Sequence, residues 1–333
     1  MLNNNLRRTI GLALGILVVV LLMWASVILG LTDIHSKMVI DAYTQFDGSN
    51  EHIIIKDTRV PRALIAAAVG ASLAITGTIM QGLTKNPLAS PSILGVNAGA
   101  SFFVVFGLGF LGATASTTTI ASLAFSGAAV ATIMVYLLGS MGRDGLTPVK
   151  LTLAGAAIGA LFSSMTQGIL SLNEQALDQA LFWLAGSVQG RDLHLLVAAL
   201  PFLVIGWVLS LLLGKHMNVF AMGEDLAKSL GQKTWMVKSV GGIIIVLLAG
   251  GSVSISGPIG FIGIVIPHIS KWFVGIDFRW VIPFSGLLGA ILLLVADIGA
   301  RYIIMPAEVP VGVMTAFIGV PFFIFIARRG IQQ

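Results

Sequence analysis

Four ionisable side chains, Glu224, Asp225, Lys228 and Lys233, fall within ten residues of the stretch "AMGEDLAKSLGQKTW" (221–235), in a chain where only 10% of residues are charged. The chemistry available elsewhere is sparse. The five histidines, His35, His52, His194, His216 and His268, never fall at i,i+4, and no H-E-x-x-H occurs, which argues against a helical metal site. With no cysteine there is no disulfide, no thiol chemistry and none of the commonest soft metal ligands. The Gly214-Lys215 pair is followed by His216, so no G-x-x-x-x-G-K-S/T loop is present to bind ATP. Asp297 is the one acid expected within a span, and proton-coupled carriers need such acids on their pathway. It lies four residues before Arg301 on one helix face, where an internal ion pair is the simplest reading. His268 reads as a hydrogen-bonded buried histidine. These residues point away from an enzyme.

The elements that hold these residues follow from composition. With 56% apolar residues and a mean hydropathy of +0.98, the surface must face lipid. An all-α polytopic membrane protein is expected, with residues 1–333 forming a single transmembrane domain. Breaks at charges and Gly/Pro clusters place ten spans at 10–31, 63–82, 93–112, 120–138, 151–172, 193–214, 237–255, 259–272, 281–300 and 309–327. The first is too long for a signal-peptide core. The eighth is too short to cross alone, and a short apolar piece at 177–185 reads as re-entrant or interfacial.

Placing both termini inside puts 13 of the 19 basic residues on the inner side, as the positive-inside rule requires. Residues 1–9 and 215–236 are then cytoplasmic, and 32–58 form an acidic outer loop. Against that trend Arg59 and Arg62 flank Pro61 in "TRVPRALIAA" at the mouth of the second span. Snorkelling is one reading, and a task outside the membrane is the better one.

The 39 glycines recur at packing spacings, as in Gly95/Gly99 and Gly155/Gly159. "SISGPIGFIGIVIPH" (254–268), with Pro258 and the glycines Gly257, Gly260 and Gly263, predicts a broken span beside a pathway. "AITGTI" (74–79) faintly echoes "SISGPI" (254–259) five spans later, the offset of an inverted repeat.

Within "GEDLAKSLGQK" the leucines Leu226 and Leu230 lie i,i+4 with Ala227 beside them, acids fill the first turn, and Gly231 sits at the C′ position. A short cytoplasmic amphipathic helix is expected. Its apolar face must rest on a partner protein, on lipid or on its own bundle.

These residues resemble the permease subunits of binding-protein-dependent ABC importers for ferric siderophores, haem and vitamin B12. "GEDLAKSLG" looks like the family's coupling segment. The same family shows the motifs "RVPR" (59–62), "NPLASPSILGVNAGA" (86–100), "WLAGS" (183–187), "GPIGFIGIVIPH" (257–268), "ADIGAR" (296–301) and "EVPVGVMTAFIGVPFFIFI" (308–326), in this order.

The resemblance implies a ten-span subunit of the bacterial cytoplasmic membrane, paired with a second, identical or homologous permease. Two cytoplasmic ATPases would receive Gly223, Glu224, Asp225, Leu226, Ala227, Leu230 and Gly231. ATP and Mg would belong to those ATPases, with no cofactor on this chain and no nucleic-acid partner. A substrate-binding protein would dock its carboxylates on Arg59, Arg62 and Arg301. The pathway would run along the fifth span, the piece after it and the tenth span, offering Ser163, Ser164, Met165, Gln167 and Asn173. Ferric siderophore is the expected cargo and vitamin B12 or haem the alternative. An ATP-independent secondary transporter is the rival of another class.

Overall fold

The computed structural model describes residues 4–30, 32–111, 116–142 and 146–330. Residues 1–3, the expected junctions at 31 and 112, and the basic residue at 143 lie outside that range, as do the side chains at 325–327 and 329. The described residues form helices and loops, with an isolated bridge between Ile304 and Ala307. In chain order the helices are α1 (Asn5–Ile28), α2 (Ser36–Thr44), α3 (Asn50–Ile54), α4 (Val60–Thr84), α5 (Val96–Leu111), α6 (Thr117–Ser140), α7 (Pro148–Leu172), α8 (Glu174–Leu184), α9 (Leu193–Ala221), α10 (Glu224–Ser229), α11 (Thr234–Ile245), α12 (Gly251–Ser256), α13 (Ile262–Val274), α14 (Phe278–Ala300) and α15 (Val311–Gly330). A wide turn at Ile55–Arg59 joins α3 to α4, and another at Val246–Gly250 joins α11 to α12.

Among the described residues, seven helical stretches are long and apolar enough to cross a bilayer: Asn5–Ile28, Asn50–Thr84, Thr117–Ser140, Pro148–Leu172, Leu193–Ala221, Thr234–Ser256 and Phe278–Ala300. Three shorter apolar helices, Val96–Phe110, Ile262–Val274 and Val311–Ile324, accompany them. At 13 residues α13 extends about 20 Å, well short of a hydrocarbon core of about 30 Å. The acidic 32–58 segment, expected as a loop, is largely helical: α2 and α3 lead through the wide turn straight into α4.

Helix α4 is the centre of the bundle, with 83% of its most apolar window buried. It packs on α14, α13, α9, α1 and α11. Small residues make this possible. A Cβ on Gly70 would collide with the Gly289 carbonyl of α14, and one on Gly289 with the Gly70 carbonyl. Lipid supplies no hydrophobic drive for helices to associate, so close backbone approach and its dispersion contacts hold the pair.

The span expected to break does so between α12 and α13. Gly257 takes φ +70°, Pro258 has no N–H to give, and Phe261 sits at φ +67° before the helix resumes at Ile262. The freed backbone is satisfied by protein: Ser187 N–H donates to the Ser256 carbonyl at 2.8 Å, and Gly312 N–H to the Gly186 carbonyl at 3.0 Å. The "WLAGS" segment after α8, the break and the start of α15 therefore meet at one place. The piece expected as re-entrant is α8, whose first turn is capped by Asn173 Oδ1 accepting from Ala176 N at 2.9 Å.

Candidate functional site

The bundle has two chemically distinct ends. At one, "AMGEDLAKSLGQKTW" folds as read. Gly223 at φ +134° turns the chain out of α9, α10 follows, and Gly231 at φ +80° ends it. Gly231 N–H donates to the Lys228 carbonyl and Gln232 N–H to the Ala227 carbonyl, each at 2.9 Å, closing the C-terminal turn.

Two residues fasten this helix to the bundle. Ala227 is fully buried. Glu224 receives Lys238 Nζ from α11 at 2.9 and 2.8 Å, and Lys228 at 3.3 Å. Burial alone would raise the Glu224 carboxyl, but the two ammonium groups outweigh it and hold the group below the ordinary carboxylate value. With its base held in this way, the helix turns Leu226 and Leu230 outward at 48% and 63% exposure, beside exposed Asp225. Lys238 was not singled out from the sequence, and its place in the first turns of α11 offered little signal.

At the other end lie the three arginines, and they are buried, at 6% for Arg59, 6% for Arg62 and 2% for Arg301. Most of their donors are taken within the chain, Arg301 Nε being buried without a partner. Arg62 Nε and Nη2 grip Asp297 Oδ1 at 2.9 and 2.8 Å, and Arg62 Nη1 meets Glu308 Oε2 at 2.7 Å. Arg301 Nη2 reaches the other Asp297 oxygen at 2.6 Å, so the internal i,i+4 pair is present.

Arg59 and Arg301 perform a task that sequence reasoning missed: they cap α1. The last carbonyls of a helix lack intrahelical donors and carry the negative end of its dipole. Arg59 Nη1 donates to the Val27 and Ile28 carbonyls at 2.9 and 2.6 Å, and Nη2 to Thr32 at 2.6 Å. Arg301 Nη1 serves the Ser26 and Leu29 carbonyls at 2.6 and 2.7 Å.

Along α7, Ser163, Ser164, Met165 and Gln167 are exposed on a face that the bundle leaves uncovered, and Gly168 has open space before it. Asn173 is half-buried at the α7–α8 junction, where its Nδ2 reaches the Gly109 carbonyl at 3.4 Å. His268 Nδ1 lies 2.8 Å from the Ile264 carbonyl, a local bond within α13. Among the described residues no group of three or more His, Cys, Asp or Glu side chains could hold a metal ion.

The model of the FecCD transport family matches residues 17–329. The chain belongs to the FecCD transport family. Among this FecCD chain's relatives, the siderophore transport system permease protein YfiZ of Bacillus subtilis is 59% identical over 306 residues, 92% of each chain. The ferric enterobactin transport system permease protein FepD of Escherichia coli is 41% identical over 317 residues, covering 95% of this chain and 94% of the relative. A solved inward-facing metal-chelate type ABC transporter superposes on the FecCD chain with a TM-score of 0.82 at 27% identity, covering 95% of this chain and 98% of that one.

Proposed function

We propose that this chain is the membrane-spanning permease subunit of a binding-protein-dependent ABC importer. It moves a ferric siderophore across the bacterial cytoplasmic membrane, driven by ATP hydrolysed in separate subunits. The observation that carries this reading is the near full-length similarity, at 59% identity, to a permease named for siderophore transport.

The chain works as ten spans with both termini cytoplasmic, the three short apolar helices completing the count beside neighbouring subunits. A second permease, identical or homologous, covers the open face of α7 and frames a pathway with Ser163, Ser164, Met165, Gln167 and Asn173. Helix α10 seats in an ATPase. Its outward Leu226 and Leu230 supply apolar contact, and Glu224–Lys238 passes the load into α11.

A binding protein docks at the arginine end. Because Arg62 and Arg301 already hold Asp297, and Arg62 holds Glu308, the docking carboxylates act by competing with these internal partners. The arginines thus set the shape and field of the rim as well as offering donors.

The test is uptake of radiolabelled iron from a panel of siderophores, with haem and vitamin B12 alongside, in cells lacking the chain and in cells with it restored. Loss confined to one siderophore class, reproduced by depleting ATP, is expected. Uptake that persists without ATP would refute the importer, and loss confined to haem or vitamin B12 would change the cargo.

A further inference from the structure

At the arginine end a cavity of about 510 Å³ opens among α5, α6, α8, α9 and α12. Its floor is apolar and buried, with Val104, Leu108 and Leu195, while Gln179, Phe182 and Gln189 stand exposed at its mouth. Arg191 projects into its lining from the short segment between α8 and α9.

This arginine differs from the other three at that end. Arg59, Arg62 and Arg301 have their charge or their donors met by carboxylates and by the α1 carbonyls. Arg191 makes one hydrogen bond, Nε to the Ser187 carbonyl at 3.2 Å, and its two terminal nitrogens have no acceptor among the described residues. The carboxylate that shares the cavity, Glu308, is already engaged by Arg62 at 2.7 Å. Partial burial lowers the Arg191 pKa without discharging a guanidinium. Arg191 is half-buried, its terminal nitrogens stay reachable from the cavity, and it has no ion-pair partner among the described residues, so an arriving anion supplies the missing counter-charge.

The geometry is built rather than incidental. The carbonyl that orients Arg191 belongs to Ser187, whose N–H is fixed on the Ser256 carbonyl at 2.8 Å, while the neighbouring Gly186 carbonyl is fixed by Gly312 N–H at 3.0 Å. Arg191 is therefore held against the three-way meeting of α8, the α12–α13 break and α15. Trp183 and Phe182 add flat apolar surface beside the charge. The volume suits a small molecule, whereas a single carboxylate side chain from a docked protein would leave most of it empty.

We propose that this cavity is an anion-reading subsite for cargo, in which the free edge of Arg191 takes carboxylate or catecholate oxygens of an incoming ferric chelate and so favours anionic chelates over neutral ones. The proposal rests on the importer reading for the identity of the anion as cargo. A planar guanidinium presents paired donors to such oxygens, which a lysine ammonium matches in charge but not in geometry.

The test uses the assembled importer in nanodiscs and in cells, with Arg191→Gln and Arg191→Lys. Binding is read by quenching of tryptophan fluorescence with two probes, the trianionic ferric tris-catecholate and the neutral ferric tris-hydroxamate. Uptake of both is read in cells. Loss of a charge-assisted contact predicts roughly tenfold weaker binding of the anionic probe in Arg191→Gln, partial recovery in Arg191→Lys, and a change under about twofold for the neutral probe.

Equal weakening of both probes would assign Arg191 a structural role and overturn the proposal, as would unchanged binding of the anionic probe. If the wild-type importer binds the anionic probe through Arg191 but no chelate enters cells, the transport reading fails while the anion subsite stands. If it imports chelates with no dependence on Arg191, the reverse holds.

Discussion

Replacing Asp297 by asparagine tests the buried charge cluster directly. Asp297 is 1% exposed and accepts from Arg62 Nε at 2.9 Å, Arg62 Nη2 at 2.8 Å and Arg301 Nη2 at 2.6 Å. Asparagine keeps the shape but removes the charge, and turns donors toward donors. Breaking a buried ion pair costs roughly 3–5 kcal/mol, because the remaining charge stays desolvated. Here the remaining charges are partly compensated. Arg62 keeps Glu308 at 2.7 Å, and Arg301 keeps the Ser26 and Leu29 carbonyls at 2.6 and 2.7 Å. The lower end, about 3 kcal/mol, is therefore expected for Asp297→Asn, measured as unfolding of the purified chain in mixed micelles with rising SDS fraction. A cycle with Arg301→Met should return a coupling of at least about 1 kcal/mol, since the two side chains touch. Stability within about 0.5 kcal/mol of wild type would refute the reasoning, because it would mean the cluster is hydrated and exchangeable. Docking of the binding protein to the same variant separates the two tasks of the arginines. Guanidinium groups released from Asp297 should bind partner carboxylates more tightly, so Kd falls while stability falls too.

Leu230→Asp changes a side chain that is 63% exposed, so the chain should fold normally while losing ATPase co-purification and ATP-driven uptake together; normal uptake would remove the coupling assignment. Glu224 carries a carboxyl held below its ordinary value of 4.5, so its pairing with Lys238 stabilises α10 above the unfolded-state value and fades as pH falls through the lower folded value. Hydrogen exchange across 223–236 should therefore rise below about pH 4.5 in wild type, and be fast and pH-insensitive in that range in Glu224→Gln after correction for intrinsic rates. Gly70→Val should destabilise by at least about 1–3 kcal/mol in the same SDS titration, because its Cβ meets the Gly289 backbone and backbone cannot step aside as a side chain can.

How far the sequence could be read depended on how local the physics was. The α10 helix, with Gly223 and Gly231 at its ends and acids in its first turn, is specified within nine residues, and it folds as those residues dictate. The break before Phe261 follows from Pro258 and its flanking glycines in the same local way. The helices near 193 and 281 start within three residues of where hydropathy changes, since burial in lipid is also written residue by residue.

The arginine end was legible only in part. Arg59 and Arg62 stand out in the sequence as charges that oppose the orientation rule, from which an outward task is expected. Their nearest partners, however, are the end of α1 and the carboxylates Asp297 and Glu308, the first of these 235 residues from Arg62 in sequence. No window, period or motif spacing reports a contact at that separation.

The same gap explains why Arg191 drew no notice. A lone arginine after "WLAGS" looks like any loop cation until the fold shows that the carboxylate sharing its cavity, Glu308, is already engaged by Arg62. What the sequence lacks is the tally of partners. That tally distinguishes an arginine that caps a helix from one left with two nitrogens facing a cavity, and the second can take an anion from outside the chain without first giving up an internal partner.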